Sequence, residues 1–592
     1  MNLNQELSTH LSHSFKALYG VDIAPEQISL ETTKKEFEGN LTFVVFPFIK
    51  YVKEKPEVLA QKLGESLLAL PHLVSQYQVV KGFLNLTISD LYWVSVLQHT
   101  DTHSEEVLRS TLGTGKKVMV EYSSPNTNKP LHLGHIRNNL LGFSISEILK
   151  QCNYEVVKVN LINDRGIHIC KSMLAWQKYG HGETPQQSGL KGDHLVGKYY
   201  VLFDQKYREQ VQVLKDQNHP DPENQAPLMA EARQMLLKWE AKDPEVQQLW
   251  KQMNGWVLDG FNQTYKKMGV DFDHTYYESH TYLLGKEMVD EGIEKGIFYT
   301  EEDSSVWIDL TEEKLDKKLL LRSDGTSVYI TQDLGTAELK YEDFGCTQSI
   351  YVVGNEQDYH FKVLFSILKK LQKPYAEGLH HVSYGMVDLP TGKMKSREGT
   401  VVDADDLIET MQSQALSISE ELGKTEGMTE QEKQSLYAMV GLGALKFYIL
   451  KVDPARRMLF NQEESIDFFG DTGPFIQYTH ARICSLLRQY PTSNEPITEV
   501  PTQLDPTESE LIFTLYQYKD ELEKAAIQYN PAIMAQYILK LTKTFNRLYK
   551  ALPFLKEPDP VRKHSRFKLA LLTGRTLKTG MKLLGIDVPE SM

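Results

Sequence analysis

Two histidines three residues apart lie in a segment that could perform chemistry on phosphate. The segment is SPNTNKPLHLGH, and it ends in His132, Gly134 and His135. Backbone N–H groups at a helix N-terminus attract phosphate, and a glycine lets a ligand approach the backbone closely. Two imidazoles could then donate hydrogen bonds to negative charge that develops on phosphorus. A His-x-x-His pair could bind zinc in place of phosphate. However, no third metal ligand follows at helical spacing, and the glutamate of the HExxH motif is missing.

A second basic segment could bind the same phosphates. Residues 392–399 are GKMKSREG, in which three cations alternate between two glycines. A flexible loop of this kind could fold several cations over a polyphosphate and release it afterwards. A third segment, GDHLVGK at 192–198, has the glycine and lysine spacing of a P-loop. Tyr199 stands where Ser or Thr would bind Mg²⁺, however, and no apolar strand precedes it, so we expect no phosphate site there.

The elements around the first two segments indicate a parallel sheet. VMVEYS is a β-rich run, apolar residues recur at helical spacing from Ile136 to Leu149, and YEVVKVNLI is strand-like again. Strand, helix and strand in this order form a βαβ crossover, whose ligand site lies at the carboxyl ends of the strands. SIYVVG, FKVLFSILKKL and HVSYGMVDL repeat the pattern. We expect a helical insertion at about 180–280 between the two halves of one sheet.

Length and composition indicate several globular domains. At about 150 residues per domain, 592 residues correspond to about four domains, and 41% hydrophobic residues are an ordinary globular value. We predict a multidomain α/β protein. It has a small α+β domain at 1–112, a Rossmann-like catalytic domain with the helical insertion and the basic loop at 113–430, and an all-α C-terminal bundle at 431–592. We expect no strand in that last part.

Charge is unevenly distributed along the chain. The formal net charge of −14 argues against a protein whose whole surface binds a polyanion. Residues 531–592, however, carry twelve Lys or Arg against four acids, a local charge of +8. Such a run is typical of a solvated helix face and also of a nucleic-acid contact.

Other sequence features indicate the compartment. The four cysteines lie far apart without a CxxC pair, so neither a disulfide framework nor a thiolate zinc site is indicated. The N-terminus lacks the pattern of a signal peptide, and no apolar stretch is long enough to span a membrane. We therefore expect a cytoplasmic protein with no membrane partner.

The two basic segments resemble the paired signatures of class I aminoacyl-tRNA synthetases. HLGH and KMKSR are similar to the HIGH and KMSKS motifs of that class. EYSSPNTNKPLHLGHIRN is similar specifically to arginyl-tRNA synthetases, as are GTSVYITQDLGTA, VVGNEQDYHF, GALKFYIL and DTGPFIQYTHARICSLLR. The resemblance covers nearly the whole chain. It implies a ligase that forms arginyl-adenylate and pyrophosphate from arginine and ATP, and then transfers arginine to the 3′-terminal ribose of tRNA(Arg).

The resemblance also implies an arginine site. It places Asn126 and Gln357 near the α-ammonium and carboxylate of the substrate, and Glu121, Tyr329 and Asp333 at its guanidinium. These residue types suit a guanidinium, because a planar group with five N–H donors is best recognised by carboxylates and a phenol. A lysine substrate would leave part of this array unpaired, at about 1–3 kcal/mol per group, so no editing site is expected.

For catalysis, the resemblance assigns His132 and His135 to the α-phosphate and Lys393 to the leaving pyrophosphate. The remaining ATP-binding residues that it implies are Gly134, His360, Lys395, Ser396 and Arg397. Ser396 stands where KMSKS has its second lysine. Lys129, which precedes the first signature, is a candidate to replace that lysine, as are Lys395 and Arg397. We expect Mg²⁺ on the ATP phosphates without an all-protein cage, and no zinc or organic cofactor.

The resemblance finally implies contacts with tRNA. Phe83 and Asn85 match a segment that recognises a base of the D-loop, and Tyr478, Tyr549 and Met592 match positions near the anticodon. Core packing is the alternative for the aromatic residues. The implied partners are tRNA(Arg), L-arginine and ATP, and the implied state is a monomer.

Two other functions compete with the ligase. A small-molecule nucleotidyltransferase would use the same His-x-Gly-His chemistry, but it would not need a long helical C-terminal domain. A tRNA-binding protein without catalytic activity would not need the histidine pair and Lys393 together.

Overall fold

The first part of the chain is a small α+β unit. In a computed structural model, which describes residues 2–34, 36–388, 402–421 and 427–592, four antiparallel strands form a sheet in the order β1-β2-β4-β3. The strands are β1 (Leu30–Thr32), β2 (Leu41–Val44), β3 (Val74–Val80) and β4 (Phe83–Ile88). The helices are α1 (Leu3–Tyr19), α2 (Ile49–Val52), α3 (Pro56–Leu68) and α4 (Asp90–Thr102). Phe15, Phe43 and Phe48 pack against one another in its core.

A five-stranded parallel sheet forms the centre of the molecule. The strands of this region are β5 (Lys117–Glu121), β6 (Glu155–Ile162), β7 (His274–Tyr277), β8 (Tyr299–Thr300), β9 (Val306–Ile308), β10 (Lys318–Leu321), β11 (Gln348–Gly354) and β12 (Leu379–Tyr384). Five of them lie in the order β12-β11-β5-β6-β7, and every neighbouring pair is parallel. This is the doubly wound order, in which ligands bind between β5 and β11, where the strand order reverses. The Rossmann-like prediction is confirmed.

The inserted helices lie inside one half of this sheet. The helices from β5 to β7 are α5 (Leu133–Gln151), α6 (Ile167–Tyr179), α7 (Pro185–Ser188), α8 (Gly192–Asp216), α9 (Pro222–Gln225), α10 (Pro227–Glu240) and α11 (Pro244–Met268). Because α6 to α11 connect the neighbouring strands β6 and β7, the insertion does not separate the two halves, and that expectation was wrong. The short strand β7 buries only Tyr276, so it lacks the apolar run of a central strand.

A second small sheet separates the halves instead. Strands β8, β9 and β10 pair antiparallel, and they are accompanied by α12 (Glu278–Thr281), α13 (Lys286–Glu294) and α14 (Tyr329–Phe344). Helix α15 (Asp358–Lys370) then connects β11 to β12. Strand β13 (Val387–Asp388) precedes residues 389–401, which lie outside the described residues, and α16 (Ala404–Glu421) follows them.

The last part of the chain is almost entirely helical. Its helices are α17 (Glu430–Leu450), α18 (Gln462–Ser465), α19 (Gly473–Arg488), α20 (Pro506–Tyr516), α21 (Tyr518–Ile527), α22 (Pro531–Ala551) and α23 (Pro560–Leu583). One strand was not expected: β14 (Met458–Leu459) pairs in parallel with β13. No helix among the described residues has the length and apolar character needed to cross a membrane.

Many cations of the basic C-terminal region pair with acids of the same chain. Arg566 contacts Glu508 at 2.7 Å, and Lys568 contacts Asp101 of α4 at 2.8 Å. The side chains of Arg566 and Lys568 are only 3% and 2% exposed. These two charges therefore join helices in the interior, and they contribute nothing to a surface that could bind RNA.

Candidate active site

A strained turn connects β5 to the histidine segment. Ser123 and Ser124 have φ values of 82° and 47°, in the left-handed region that residues with a Cβ rarely occupy. The Oδ1 atom of Asn138 accepts the Ser123 N–H, and that of Asn160 accepts the Ser124 N–H at 3.0 Å. Such strain persists where surrounding contacts enforce it, and it is common at functional sites. The two amides hold the turn that leads to Asn126.

The two histidines cap the N-terminus of α5. His132 is the N-cap residue, and its Nδ1 accepts the Gly134 N–H at 3.1 Å. The Nδ1 of His135 accepts the His132 N–H at 3.2 Å, so each ring bonds the backbone of the same first turn. The ring centroids are 4.0 Å apart. The motif therefore builds a capping box from two imidazoles in place of the usual hydroxyl and carboxylate.

This geometry determines the charge and the tautomer of both rings. Burial, aided by nearby Lys129, lowers the pKa of His132 to about 3. Burial also holds the pKa of His135 well below its usual value, with smaller effects from His132 and Lys129. Both rings are therefore neutral near pH 7. Because each Nδ1 accepts a hydrogen bond, the ring proton lies on Nε2, and each imidazole has one N–H left to donate to an oxyanion.

Gly134 leaves room for the ring of His132. A Cβ at this position would lie 3.0 Å from Cε1 and 3.1 Å from Nδ1 of His132. The sequence suggested only that this glycine lets a ligand approach the backbone. The structure adds a second reason, which is the close packing of the capping imidazole.

The histidine segment also pairs with the chain that follows residue 401. The Leu133 N–H donates to the Val402 carbonyl at 3.1 Å, and the Ala404 N–H donates to the Leu131 carbonyl at 3.0 Å. The basic loop that was matched to KMSKS ends just before these contacts. Its predicted site residues, Lys393, Lys395, Ser396 and Arg397, lie outside the described residues.

A cavity of about 510 Å³ opens beside His132. Lys129 and Leu131 line one wall, residues of α8 line another, and Asp403 completes the lining. The segment that resembled a P-loop forms the first two turns of α8. A Cβ at Gly192 would lie 2.1 Å from the Trp256 carbonyl oxygen, so this glycine serves helix packing and not phosphate binding.

One group of three residues close to this cavity has metal-ligand spacing. Ligand atoms of Asp193, His194 and Asp405 all lie within 4.8 Å of one another. Lys191 contacts both Asp193 and Asp405, and Lys267 contacts Asp405 at 3.1 Å. The hydrogen bond to Asp405 raises the pKa of His194. Cations of the chain thus already balance these carboxylates, and the cluster ties α16 to α8 and α11.

A larger cavity, of about 940 Å³, brings together part of the predicted arginine site. Asn126, Tyr329 and Asp333 all line it. Tyr329 and Asp333 lie one turn apart at the start of α14, and the Tyr329 side chain is exposed. Gln357 is exposed in the short 3-10 turn that connects β11 to α15. It does not line this cavity, and neither does Glu121.

Three predicted residues already have partners within the chain. Nε2 of His360 lies 2.6 Å from Oδ2 of Asp333, which joins a predicted ATP residue to a predicted arginine residue. Glu121 is 7% exposed and forms a buried ion pair with Lys340 of α14. The negative charge of Glu121 is therefore balanced by the ammonium group of Lys340.

Sequence reasoning missed several polar residues of the larger cavity. The Arg165 guanidinium lies 4.0 Å from the centroid of the Tyr282 ring and 2.9 Å from Glu240. It also lies 3.9 Å from Glu278, whose pKa is raised by burial. The sequence contains a usable signal, because Asn163 to Gly166 directly follow β6, and the carboxyl ends of parallel strands carry ligand sites.

The predicted tRNA residues fall into two places. The Phe83 side chain is 41% exposed, and its ring meets the exposed ring of Phe46 edge-on at 5.7 Å. Asn85 is only 2% exposed, and its Oδ1 accepts a hydrogen bond from Thr42 at 2.7 Å, so it lies inside the N-terminal sheet.

Tyr478, Tyr549 and Met592 line one cleft of about 290 Å³ in the helical part. Arg482 lies over both tyrosine rings, at 4.8 and 5.4 Å from their centroids. Tyr549 is exposed and Tyr478 is half-buried. Accessible aromatic rings next to a guanidinium are suited to stacking against unpaired bases.

Comparisons with known proteins agree along the whole length. Three family models match consecutive parts of the chain: "Arginyl tRNA synthetase N terminal domain" at residues 5–88, "tRNA synthetases class I (R), catalytic domain" at 98–461 and "DALR anticodon binding domain" at 476–592. The arginine–tRNA ligase of Amoebophilus asiaticus is 52% identical over 599 residues, and that of Phocaeicola vulgatus is 53% identical over 606. Both alignments cover 100% of both chains. Among solved structures, Thermus thermophilus arginyl-tRNA synthetase superposes with a TM-score of 0.78 at 26% identity, again over 100% of both chains.

Proposed function

This chain belongs to the arginyl-tRNA synthetase family, and we propose that it joins L-arginine to tRNA(Arg) with the use of ATP. One observation carries the proposal beyond the family match. The connection from β5 to α5 contains Asn126 and ends at the two neutral imidazoles that cap α5. Asn126 lines the larger cavity together with Tyr329 and Asp333. A phosphate site and a site for a cationic amino acid thus meet at the carboxyl edge of one sheet.

In this proposal the 940 Å³ cavity holds arginine. Asp333 and Tyr329 receive the guanidinium, and Asn126 bonds the α-ammonium or carboxylate. A guanidinium donates in two directions within one plane, so it bonds a carboxylate and a phenol at once, whereas an ammonium leaves part of the array unpaired. His360 orients Asp333 through their 2.6 Å contact. Glu121 acts on the guanidinium site indirectly, because its carboxylate already pairs with Lys340.

The first step forms the adenylate. A carboxylate oxygen of arginine attacks the α-phosphorus of MgATP, a new P–O bond forms, and the bond to the β-phosphate breaks to release pyrophosphate. The Nε2–H groups of His132 and His135 donate to the oxygens on which charge develops, and both rings remain neutral throughout. Gly134 lies beneath the nucleotide. Lys393 acts on the leaving pyrophosphate, and Lys129, Lys395 or Arg397 takes the role of the second lysine of KMSKS. Ser396 belongs to the same ATP-binding loop.

The second step transfers arginine to tRNA. The hydroxyl oxygen of the terminal ribose attacks the arginyl carbonyl carbon and forms an ester bond. The bond between that carbon and the phosphate oxygen breaks, and AMP and the hydroxyl proton are released. We assign Phe83 and Asn85 of β4 to the D-loop, and the cleft of Tyr478, Tyr549 and Met592 to the anticodon. The proposed enzyme is a cytoplasmic monomer.

Arginine-dependent exchange of pyrophosphate into ATP tests this function, and it should be run with and without tRNA. The proposal predicts exchange with arginine and none with lysine at the same concentration. Exchange driven by a different amino acid would contradict the assigned substrate. Absence of exchange with arginine even when tRNA(Arg) is present would contradict the reaction. A nucleotidyltransferase would release pyrophosphate from ATP and a phosphorylated co-substrate, without any requirement for arginine.

A further inference from the structure

A buried arginine lies beside the catalytic histidines without a carboxylate partner. Arg137 belongs to α5, two residues after His135, and it is 0% exposed. Among the described residues, no carboxylate forms an ion pair with it. Its guanidinium lies 6.0 Å from the centroid of the Tyr384 ring. Burial lowers its pKa to about 10, so it is still charged at pH 7.

All side-chain hydrogen bonds of Arg137 to the described residues go to one backbone segment. Its Nη2 donates to the carbonyl oxygens of Arg456 at 2.8 Å and of Pro454 at 3.1 Å, with a longer contact of 3.4 Å to that of Asp453. Nε and Nη1 have no partner among the described residues. Burying a charge with unused donors is costly, and an apolar residue of similar volume often serves stability as well or better. Stability alone is therefore a poor reason for an arginine at this position.

Other parts of the chain hold the same backbone segment. The Asp453 side chain accepts a hydrogen bond from Asn530 at 2.8 Å, and Asn530 is the N-cap residue of α22. The Gly385 N–H donates to the Pro454 carbonyl at 2.9 Å. Strand β14, which follows the segment, pairs with β13. Segment 453–456 thus connects α5 to α22, the helix that carries Tyr549 of the proposed anticodon cleft.

We propose that Arg137 is a positioning residue for the chemical step, which fixes the first turns of α5 against segment 453–456. It touches no reacting atom. Through α5 it sets the position of the imidazoles, and through the Asp453–Asn530 contact that position depends on α22. The unused donors of Arg137 allow it to exchange one carbonyl partner for another if the segment shifts. This inference rests on the proposed function, because its effect is read in arginine activation.

Steady-state exchange kinetics of Arg137→Lys test the proposal. The variant keeps the charge but loses the planar group that reaches several carbonyls. We expect kcat to fall at least tenfold while the KM for arginine stays within twofold, because the cavity residues are untouched. Arg566→Lys is the matched control: it also alters a buried arginine, but one that pairs with Glu508 far along the chain. It should lower the thermal midpoint and leave kcat unchanged.

Asn530→Ser provides a second test that does not disturb the core. Serine keeps the helix cap but is too short to reach Asp453. We expect kcat to fall at least threefold, and the double variant with Arg137→Lys to lose little more than Arg137→Lys alone, since both act through one segment. Should Arg137→Lys fail to fold, Asn530→Ser decides the question.

Unchanged kcat in either folded variant, or strictly additive losses in the double variant, would overturn the proposal. A fall in kcat/KM caused by the KM for arginine alone would also overturn it. The kinetics of the variants can be interpreted only if the parent protein activates arginine. If the parent protein shows no arginine-dependent exchange, the proposed function is refuted, and this result differs from a failure of the Arg137 proposal.

Discussion

Replacing Gly134 by alanine displaces the His132 ring and also adds a methyl group to the backbone that the proposal places beneath the nucleotide. In a helix, alanine is normally favoured over glycine by about 1 kcal/mol. Here the added Cβ would lie 3.0 Å from Cε1 of His132. Carbon atoms pack best at about 3.5–4.0 Å, so the ring must move by about 0.5 Å or more. Overpacking of this kind costs about 1–3 kcal/mol, which cancels or exceeds the gain in helix propensity.

The displacement should be far more visible in catalysis than in stability. A misplacement of about 1 Å near reacting groups costs about a hundredfold in rate, so a shift of about half that size corresponds to about tenfold. We therefore expect kcat for arginine-dependent pyrophosphate exchange to fall about tenfold. The KM for arginine should stay nearly constant, because Asn126, Tyr329 and Asp333 line a separate cavity.

Gly255 is the matched control for this substitution. It also lies within a helix, α11, but a Cβ there would have no neighbour within 4 Å. Gly255→Ala should raise the free energy of unfolding by about 0.5–1 kcal/mol and leave kcat unchanged. The two variants are compared by exchange kinetics and urea denaturation. If Gly134→Ala retains kcat within twofold, the ring of His132 is not held where the capping geometry places it, and the reasoning fails.

Four further predictions concern the site. Asp333→Asn should raise the KM for arginine about tenfold or more, because a hydrogen bond to a charged group contributes about 1.5–3 kcal/mol, and an unchanged KM would remove Asp333 from the guanidinium site. Lys340→Met should lower the free energy of unfolding in urea by about 3–5 kcal/mol by leaving Glu121 unpaired, and adding Glu121→Gln should recover part of it; a single variant as stable as the parent would contradict the buried pair. In ¹⁵N NMR spectra, His132 and His135 should be neutral Nε2–H tautomers at pH 6–8, and an imidazolium signal from either would contradict the proposed electrostatics. Because burial lowers both pKa values, acid protonates the unfolded chain first, so these residues should make the protein less stable as the pH falls below about 6.5.

The sequence predicts those parts of the site that depend on local spacing. Apolar runs and helical periods locate β5, α5 and β6, and this order alone places His132 and His135 at a helix N-terminus beside a sheet edge. The family resemblance then supplies Asn126, Tyr329 and Asp333, which the structure gathers around one cavity.

Features that depend on distant partners were not predictable. Lys340 reads as an ordinary surface residue of an amphipathic helix, yet it pairs with Glu121, which is 219 positions away. Likewise Lys568 contributes to an apparent basic surface until its contact with Asp101 is known. The use of both histidine Nδ1 atoms as helix caps also depends on side-chain rotation, which the spacing of the residues does not specify.

The most direct test of the account is attachment of labelled amino acids to tRNA(Arg) by the purified protein in the presence of MgATP. The account predicts that arginine alone becomes acid-precipitable with the tRNA, and that tRNA whose terminal ribose has been oxidised by periodate accepts none. Comparable attachment of lysine, or no attachment of arginine to intact tRNA(Arg), would contradict it.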